Sequence, residues 1–171
     1  MAKVLMIVAQ KNFRDEELLI PKEMLETEGH EVVITSLSRY EATGMLGAKV
    51  TPKMAVHEAN PSFFDAIVVV GGSGSPALAQ SEDVLKLLQN AEKQGKIISA
   101  ICLGPMALAK AGVLAGRKAT IFKTEDSLQA LKDGGASYTG EDVTVEGKLV
   151  TASGPQAANE FARALIDLLK E

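Results

Sequence analysis

With 171 residues the chain has room for one domain of ordinary size and a single sizeable core. Hydrophobic residues make up 46% of it and charged residues 23%, with no tryptophan, which excludes a disordered chain or a disulfide-rich miniprotein. A formal net charge of -4, with Lys and Arg scattered among Asp and Glu, leaves no basic stripe and argues against a nucleic-acid partner.

The first apolar run, Val4 to Ala9, lies between Lys3 and Lys11. It is too short for a membrane span or a secretory signal, so it is read as a buried strand of a cytoplasmic protein without a membrane partner. Glu16 to Glu28 carries apolar residues at helical spacing, and Gly29 closes that helix. Glu31 to Ser36 follows as a strand. Arg39 to His57, with Gly44, Gly47 and Pro52, reads as a hairpin-like excursion. Ala66 to Val70 is a buried strand, broken by Gly71 to Ser75. Ser81 to Gln94 is helical with Ser81 as N-cap, and Lys96 to Ile101 returns to a buried strand. Pro105 to Lys110 is expected as a helix, Ala119 to Phe122 as a short strand and Glu125 to Lys132 as a helix. Asp142 to Thr151 is expected as a hairpin turning at Glu146-Gly147, and a helix from about Gln156 to Leu169 closes the chain. Strands alternating with helices predict an α/β fold, a mostly parallel sheet with helices on both faces. No repeat or linker marks a boundary, so residues 1–171 are taken as one domain.

Cys102, the only cysteine, cannot form an internal disulfide and stands at the carboxyl end of a predicted strand, directly before a helix. A nucleophile elbow needs a sharp strand-turn-helix bend flanked by small residues, and Ala100-Ile101-Cys102-Leu103-Gly104 meets that need. The dipole of the following helix is expected to lower the thiol below its free value of about 8.5. A free cysteine is also a small apolar residue that fills strand ends, and local context leaves both readings open. Gly71-Gly72-Ser73-Gly74-Ser75, at the end of the neighbouring strand, has the glycines that turn backbone N–H groups inward toward an anion. Gly72 to Ala77 also fits G-x-G-x-x-A, but it follows an interior strand and its acidic residue, Glu92, falls within a helix. No dinucleotide cofactor is therefore expected. Asp15-Glu16-Glu17 opens the first helix, where acidic residues complement the dipole. Glu17 differs in being followed by Leu18 to Pro21, surroundings in which a buried carboxyl keeps its proton and can bond a thiolate. One cysteine and two separated histidines offer no metal ligand set.

Glu17-Leu18-Leu19-Ile20-Pro21, Val68-Val69-Val70-Gly71-Gly72, Ala100-Ile101-Cys102-Leu103-Gly104-Pro105 and Ala111 to Lys118 together resemble the ThiJ/PfpI family, from about Lys3 to Lys170. Ser153-Gly154-Pro155, entering the last helix, agrees with it. The resemblance implies a flavodoxin-like three-layer sandwich, a nucleophile at Cys102, a protonated Glu17 at its sulfur, and an oxyanion pocket from the N–H groups of Gly72 and Leu103. It implies cysteine chemistry on small α-oxoaldehydes such as methylglyoxal or on proteins they modify, and a homodimer or larger assembly. It also implies two alternatives: an oxidative-stress sensor or chaperone acting through oxidation of Cys102, and a protease. Where the protease-like branch has a histidine after the nucleophile, this chain has Leu103; where the glyoxalase-like branch has a strand-end histidine, it has Phe122. Neither His30 nor His57 is positioned to replace them, which disfavours peptide hydrolysis and leaves a Cys-Glu site, or a scaffold whose site has decayed.

Overall fold

The computed structural model describes residues 1–171. In chain order the elements are β1 (Lys3–Ile7), β2 (Lys11–Phe13), α1 (Asp15–Thr27), β3 (Glu31–Ser36), β4 (Ala42–Gly44), β5 (Lys49–Val50), β6 (Met54–Ala55) and β7 (Ala66–Val69). There follow α2 (Glu82–Lys93), β8 (Ile97–Ile101), α3 (Pro105–Lys110), β9 (Lys118–Ala119), α4 (Glu125–Asp133), β10 (Ser137–Tyr138), β11 (Val143–Glu146), β12 (Leu149–Ala152) and α5 (Ala158–Leu169).

Seven strands form the central sheet in the order β11-β12-β8-β7-β1-β3-β6. All neighbours run parallel except the β11-β12 hairpin, which turns at Gly147. Alternation along the strands divides the core in two. Leu5, Ile7, Ile67, Val69, Ile98 and Ala100 meet Val84, Leu88 and Leu108 of α2 and α3 on one face. Val4, Met6, Val68, Val70 and Val150 meet Leu18, Leu25, Phe161 and Leu165 of α1 and α5 on the other. This is the expected flavodoxin-like sandwich: the strands are apolar throughout because both faces are covered.

From β1 the chain runs outward through β3 and β6, then returns to the other side of β1 to lay down β7 and β8. The order therefore reverses between β1 and β7, and in such sheets the crevice beyond the strands' carboxyl ends at that reversal receives ligands. The segments after β1, β7 and β8 are those that carry Glu17, Gly72 and Cys102.

Several boundaries moved. The first helix begins at Asp15, and Gly29, at φ 88°, follows its end as expected. Ser81 caps α2 by accepting from the Val84 N–H. Residues 75–80, between the glycine run and the predicted helix, form a 3₁₀ helix. The strand expected over 119–122 is only Lys118–Ala119, paired with β10 outside the central sheet. Phe122 instead donates its backbone N–H to the Cys102 carbonyl at 2.9 Å, so the chain leaves the strand to brace the elbow. The excursion contains the antiparallel pair β4-β5, but it also lends β4 to β2 and β6 to the sheet edge. No helix is long and apolar enough to cross a membrane.

Candidate active site

Cys102 has φ 63°, one of only two non-glycine residues in the left-handed region, the other being Asn12. For a residue with a Cβ this conformation costs about 1–2 kcal/mol. Hydrogen bonds on both sides hold it there: the Cys102 N–H donates to the Ala152 carbonyl at 2.8 Å, and its own carbonyl accepts from Phe122. The bend turns the side chain off the end of β8, and the residue is 7% exposed.

Glu17 comes to the same place from α1. Its first turn starts directly after Arg14, and the inward stripe of that helix is Glu17, Leu18, Pro21 and Leu25. A carboxyl on this stripe has no route to solvent, and Glu17 is 0% exposed. Neither carboxyl oxygen has a hydrogen-bond partner of standard geometry. Burial raises its pKa to about 8, against the lowering pull of the nearby Cys102 thiol, Arg14 and the Gly71 N–H. At neutral pH Glu17 is protonated, as its surroundings in the sequence suggested.

The expected lowering of the Cys102 thiol is overturned. The thiol is pushed up to about 12, chiefly by burial and then by the Glu17 carboxylate, against the lowering pull of the Gly72 and Leu103 N–H groups. The helix after the elbow is only six residues long, so its dipole is small beside the desolvation of the sulfur.

Gly71 sits between the two groups. A Cβ there would lie 2.5 Å from both the Cys102 Cβ and Glu17 Oε1, and would also meet the Ile101 carbonyl. The pair is close only because position 71 has no side chain. Gly72, at φ 114°, is confined as well: a Cβ would meet the Arg14 nitrogen and come within 2.5 Å of the Asn12 carbonyl. Its N–H and that of Leu103 both face the sulfur. Thus Cys102, Glu17, Gly72 and Leu103 are brought together, and Gly71, expected only as part of the glycine run, lies between the thiol and the carboxyl.

The remaining acidic residues take other parts. Asp15 is buried and anchors the excursion, accepting from the Leu46 N–H at 3.0 Å and the Ala48 N–H at 2.8 Å. Glu16 accepts from the Arg14 guanidinium at two points. Both histidines lie away from the thiol. His30 accepts the Ala2 N–H at the amino end of β3, and the exposed His57 follows β6, about 19 Å across four strand spacings from β8. No cluster of three or more His, Cys, Asp or Glu side chains has the arrangement of a metal site.

A parallel-sheet sandwich with a cysteine elbow at its carboxyl end and a buried glutamic acid beside the sulfur defines a class of cysteine-centred α/β proteins. The profile of the DJ-1/PfpI family matches residues 2–168, and the chain belongs to that family. Deglycase PfpI of Pyrococcus furiosus is 34% identical over 98% of this chain and 99% of its own length. The glutathione-independent glyoxalase DJR-1.2 of Caenorhabditis elegans is 27% identical over 97% of this chain and 88% of its own. Among solved structures, a ThiJ/PfpI domain protein from Brachyspira murdochii superposes with a TM-score of 0.94 at 28% identity, covering 98% of this chain and 96% of its own.

Proposed function

We propose that the chain is a cysteine-dependent enzyme that converts small α-oxoaldehydes, such as methylglyoxal or its adducts, into hydroxy acids. The observation that carries this reading is the buried, protonated Glu17 beside the Cys102 thiol, with the Gly72 and Leu103 N–H groups facing the sulfur. The deglycase and glyoxalase names of the relatives support a reaction of this type.

The two groups titrate as a pair, losing one proton near pH 8 and the second near pH 12. In the singly protonated state the Glu17 carboxylate can take the proton from sulfur, and the two N–H donors stabilise the thiolate so formed. The thiolate adds to the aldehyde carbon, forming a C–S bond, and the N–H pair stabilises the new oxyanion. The oxyanion takes its proton from Glu17; the carboxylate so formed removes the proton from that carbon and returns it to the adjacent carbonyl carbon, while the hydroxyl proton of the first carbon passes to the oxygen of the second. The first carbon is oxidised to a thioester and the second reduced to an alcohol, with no outside electron carrier. Water then cleaves the thioester to a 2-hydroxy acid and restores the thiol. With free methylglyoxal none of these steps protonates an amine leaving group, so the presence of Leu103 and Phe122 in place of histidines is compatible with the reaction.

Methylglyoxal turnover to lactate by the purified protein under reducing conditions is the test. Cys102→Ala is expected to abolish it, and Glu17→Gln to slow it by a hundredfold or more. Retention of wild-type turnover by Cys102→Ala would refute the reading. The neutral carboxyl also supports a second reading, because it would donate a hydrogen bond to an oxidised sulfur and favour a sulfinate-based sensor. That reading predicts a mass gain of two oxygens at Cys102 under mild peroxide, in a protein without turnover.

A further inference from the structure

Arg14 has no part in the steps above, yet it is held firmly beside them. The segment from Asn12 to Arg14 is interlaced with the loop after β7: the Arg14 N–H donates to the Gly71 carbonyl at 2.8 Å, and the Gly74 N–H donates to the Asn12 carbonyl at 2.9 Å. Asn12, at φ 63°, makes the bend that brings Arg14 to this position, and asparagine tolerates that region better than most residues. The Arg14 backbone thus abuts Gly72, whose N–H faces the sulfur. Its guanidinium acts electrostatically on both Glu17 and Cys102.

The guanidinium is not spread over solvent. Nε and Nη2 each donate to one Glu16 carboxylate oxygen at 2.9 Å, a bidentate pair with both side chains about one-third exposed. This is the geometry with which arginine receives a carboxylate from outside. An ion pair so open to water contributes little stability and is readily exchanged for another carboxylate. Glu16 stands between Asp15, whose carboxyl is committed to the excursion, and the fully buried Glu17, and its side chain has no hydrogen-bond partner besides Arg14.

We infer that Arg14 is a specificity residue whose guanidinium receives the carboxylate of an anionic α-oxoaldehyde while the aldehyde carbon meets Cys102, with Glu16 occupying that position until substrate displaces it. The inference rests on the reading that Cys102 attacks small oxoaldehydes, and it adds the substrate class: dicarbonyls that carry a carboxylate. The rest of the site supplies backbone N–H groups and a neutral carboxyl, so the discrimination between charged and neutral substrates falls to this arginine.

Two measurements test it. The first needs no turnover: Cys102 is alkylated with iodoacetate and with iodoacetamide, near-isosteric reagents that differ in charge, and the ratio of their rates is taken. Arg14→Gln is expected to lower the ratio about tenfold, as loss of a charge-assisted hydrogen bond implies, and Glu16→Gln to raise it severalfold. The double variant is expected to match Arg14→Gln alone, because Glu16 acts only by occupying the guanidinium. Additive effects in the double variant would mean a diffuse field and would overturn the inference, as would an unchanged ratio. The second measurement compares kcat/KM for 4,5-dioxopentanoate and the neutral 2-oxopentanal of equal chain length. A preference for the acid that falls at least tenfold in Arg14→Gln supports the inference. Turnover of both substrates with a ratio that Arg14→Gln leaves unchanged overturns it. Turnover of neither, with the alkylation ratios as expected, refutes the oxoaldehyde chemistry and keeps Arg14 as a carboxylate receptor.

Discussion

The two poles of the sheet are built on opposite plans. At the amino ends of the strands a cavity of about 500 Å³ is bordered by His30, Asp65, Lys96, Lys148 and Leu168, and its polar groups are mostly spent on backbone partners. Lys148 donates to the Gly95 carbonyl, His30 accepts from Ala2, and Asp65 accepts from Lys3. Neither this cavity nor three smaller hollows are lined by Cys102 or Glu17, and at the carboxyl ends packing is so tight that Gly71 and Gly72 admit no Cβ. The roomiest of these hollows lies at the amino pole, and the perturbed, unsatisfied groups lie at the other. Volume alone is therefore a poor guide to function here; ionisable groups packed without partners are the better one.

The contrast can be broken most forcefully at Gly71. Gly71→Ala is expected to force Cys102 and Glu17 apart, lowering kcat/KM for methylglyoxal by a hundredfold or more and stability by about 1–3 kcal/mol in urea unfolding. A variant with wild-type kinetics would show that the close approach does not matter.

Glu17 ranks next. Its pKa rises from 4.5 to about 8 on folding, so the native state holds a proton that the unfolded chain has released. That contribution to stability is complete below about pH 4.5 and is lost as pH rises through 8, amounting to about 3 kcal/mol between pH 5 and pH 8. Glu17→Gln, which carries no charge at any pH, is expected to remove this slope and to exceed the wild type in stability at pH 8. Parallel pH profiles of unfolding free energy would contradict the assignment. The same pair predicts that wild-type kcat/KM rises with pH and levels above about 8.

Asp15 gives a smaller effect. Asp15→Asn exchanges two charge-assisted acceptors for a single amide oxygen, and is expected to cost about 2 kcal/mol and to speed amide exchange at Leu46 and Ala48. At the amino pole, Lys148→Ala is expected to change stability by less than about 0.5 kcal/mol and to leave methylglyoxal turnover within twofold. A large loss of turnover there would reverse the comparison.

Much of this is legible in the sequence. β3 and α3 fall on the expected residues, because continuous apolar runs and a helix-opening proline are local signals. Cys102 and Glu17 were recognisable from small residues around a lone thiol and an acid set in an apolar stretch, while the pairing of the Gly72 and Leu103 N–H groups came from the family resemblance. What stayed hidden depends on distant contacts. Gly71 read only as part of the anion-binding glycine run, since its closeness to Glu17 and Cys102 joins three segments far apart in the chain. Asp15 meets Gly44, Leu46 and Ala48 about thirty residues away, so no local pattern announces the contact. Arg14 had one signal, a cation beside three acids, but which acid it would take depends on the turn at Asn12. The thiol was misjudged because the helix dipole can be read from order along the chain, whereas desolvation appears only when the layers close.

That closure bears on the life of the molecule before it is finished. β1, β7 and β8 must be in register before the sulfur is enclosed, and until then Cys102 is an ordinary thiol of pKa about 8.5 in open water. The nascent or unfolded chain is thus the form most easily captured by stray electrophiles, and folding itself shields the nucleophile. Pulse labelling of the one cysteine would accordingly serve as a clock for assembly, its rate dropping as the sheet completes.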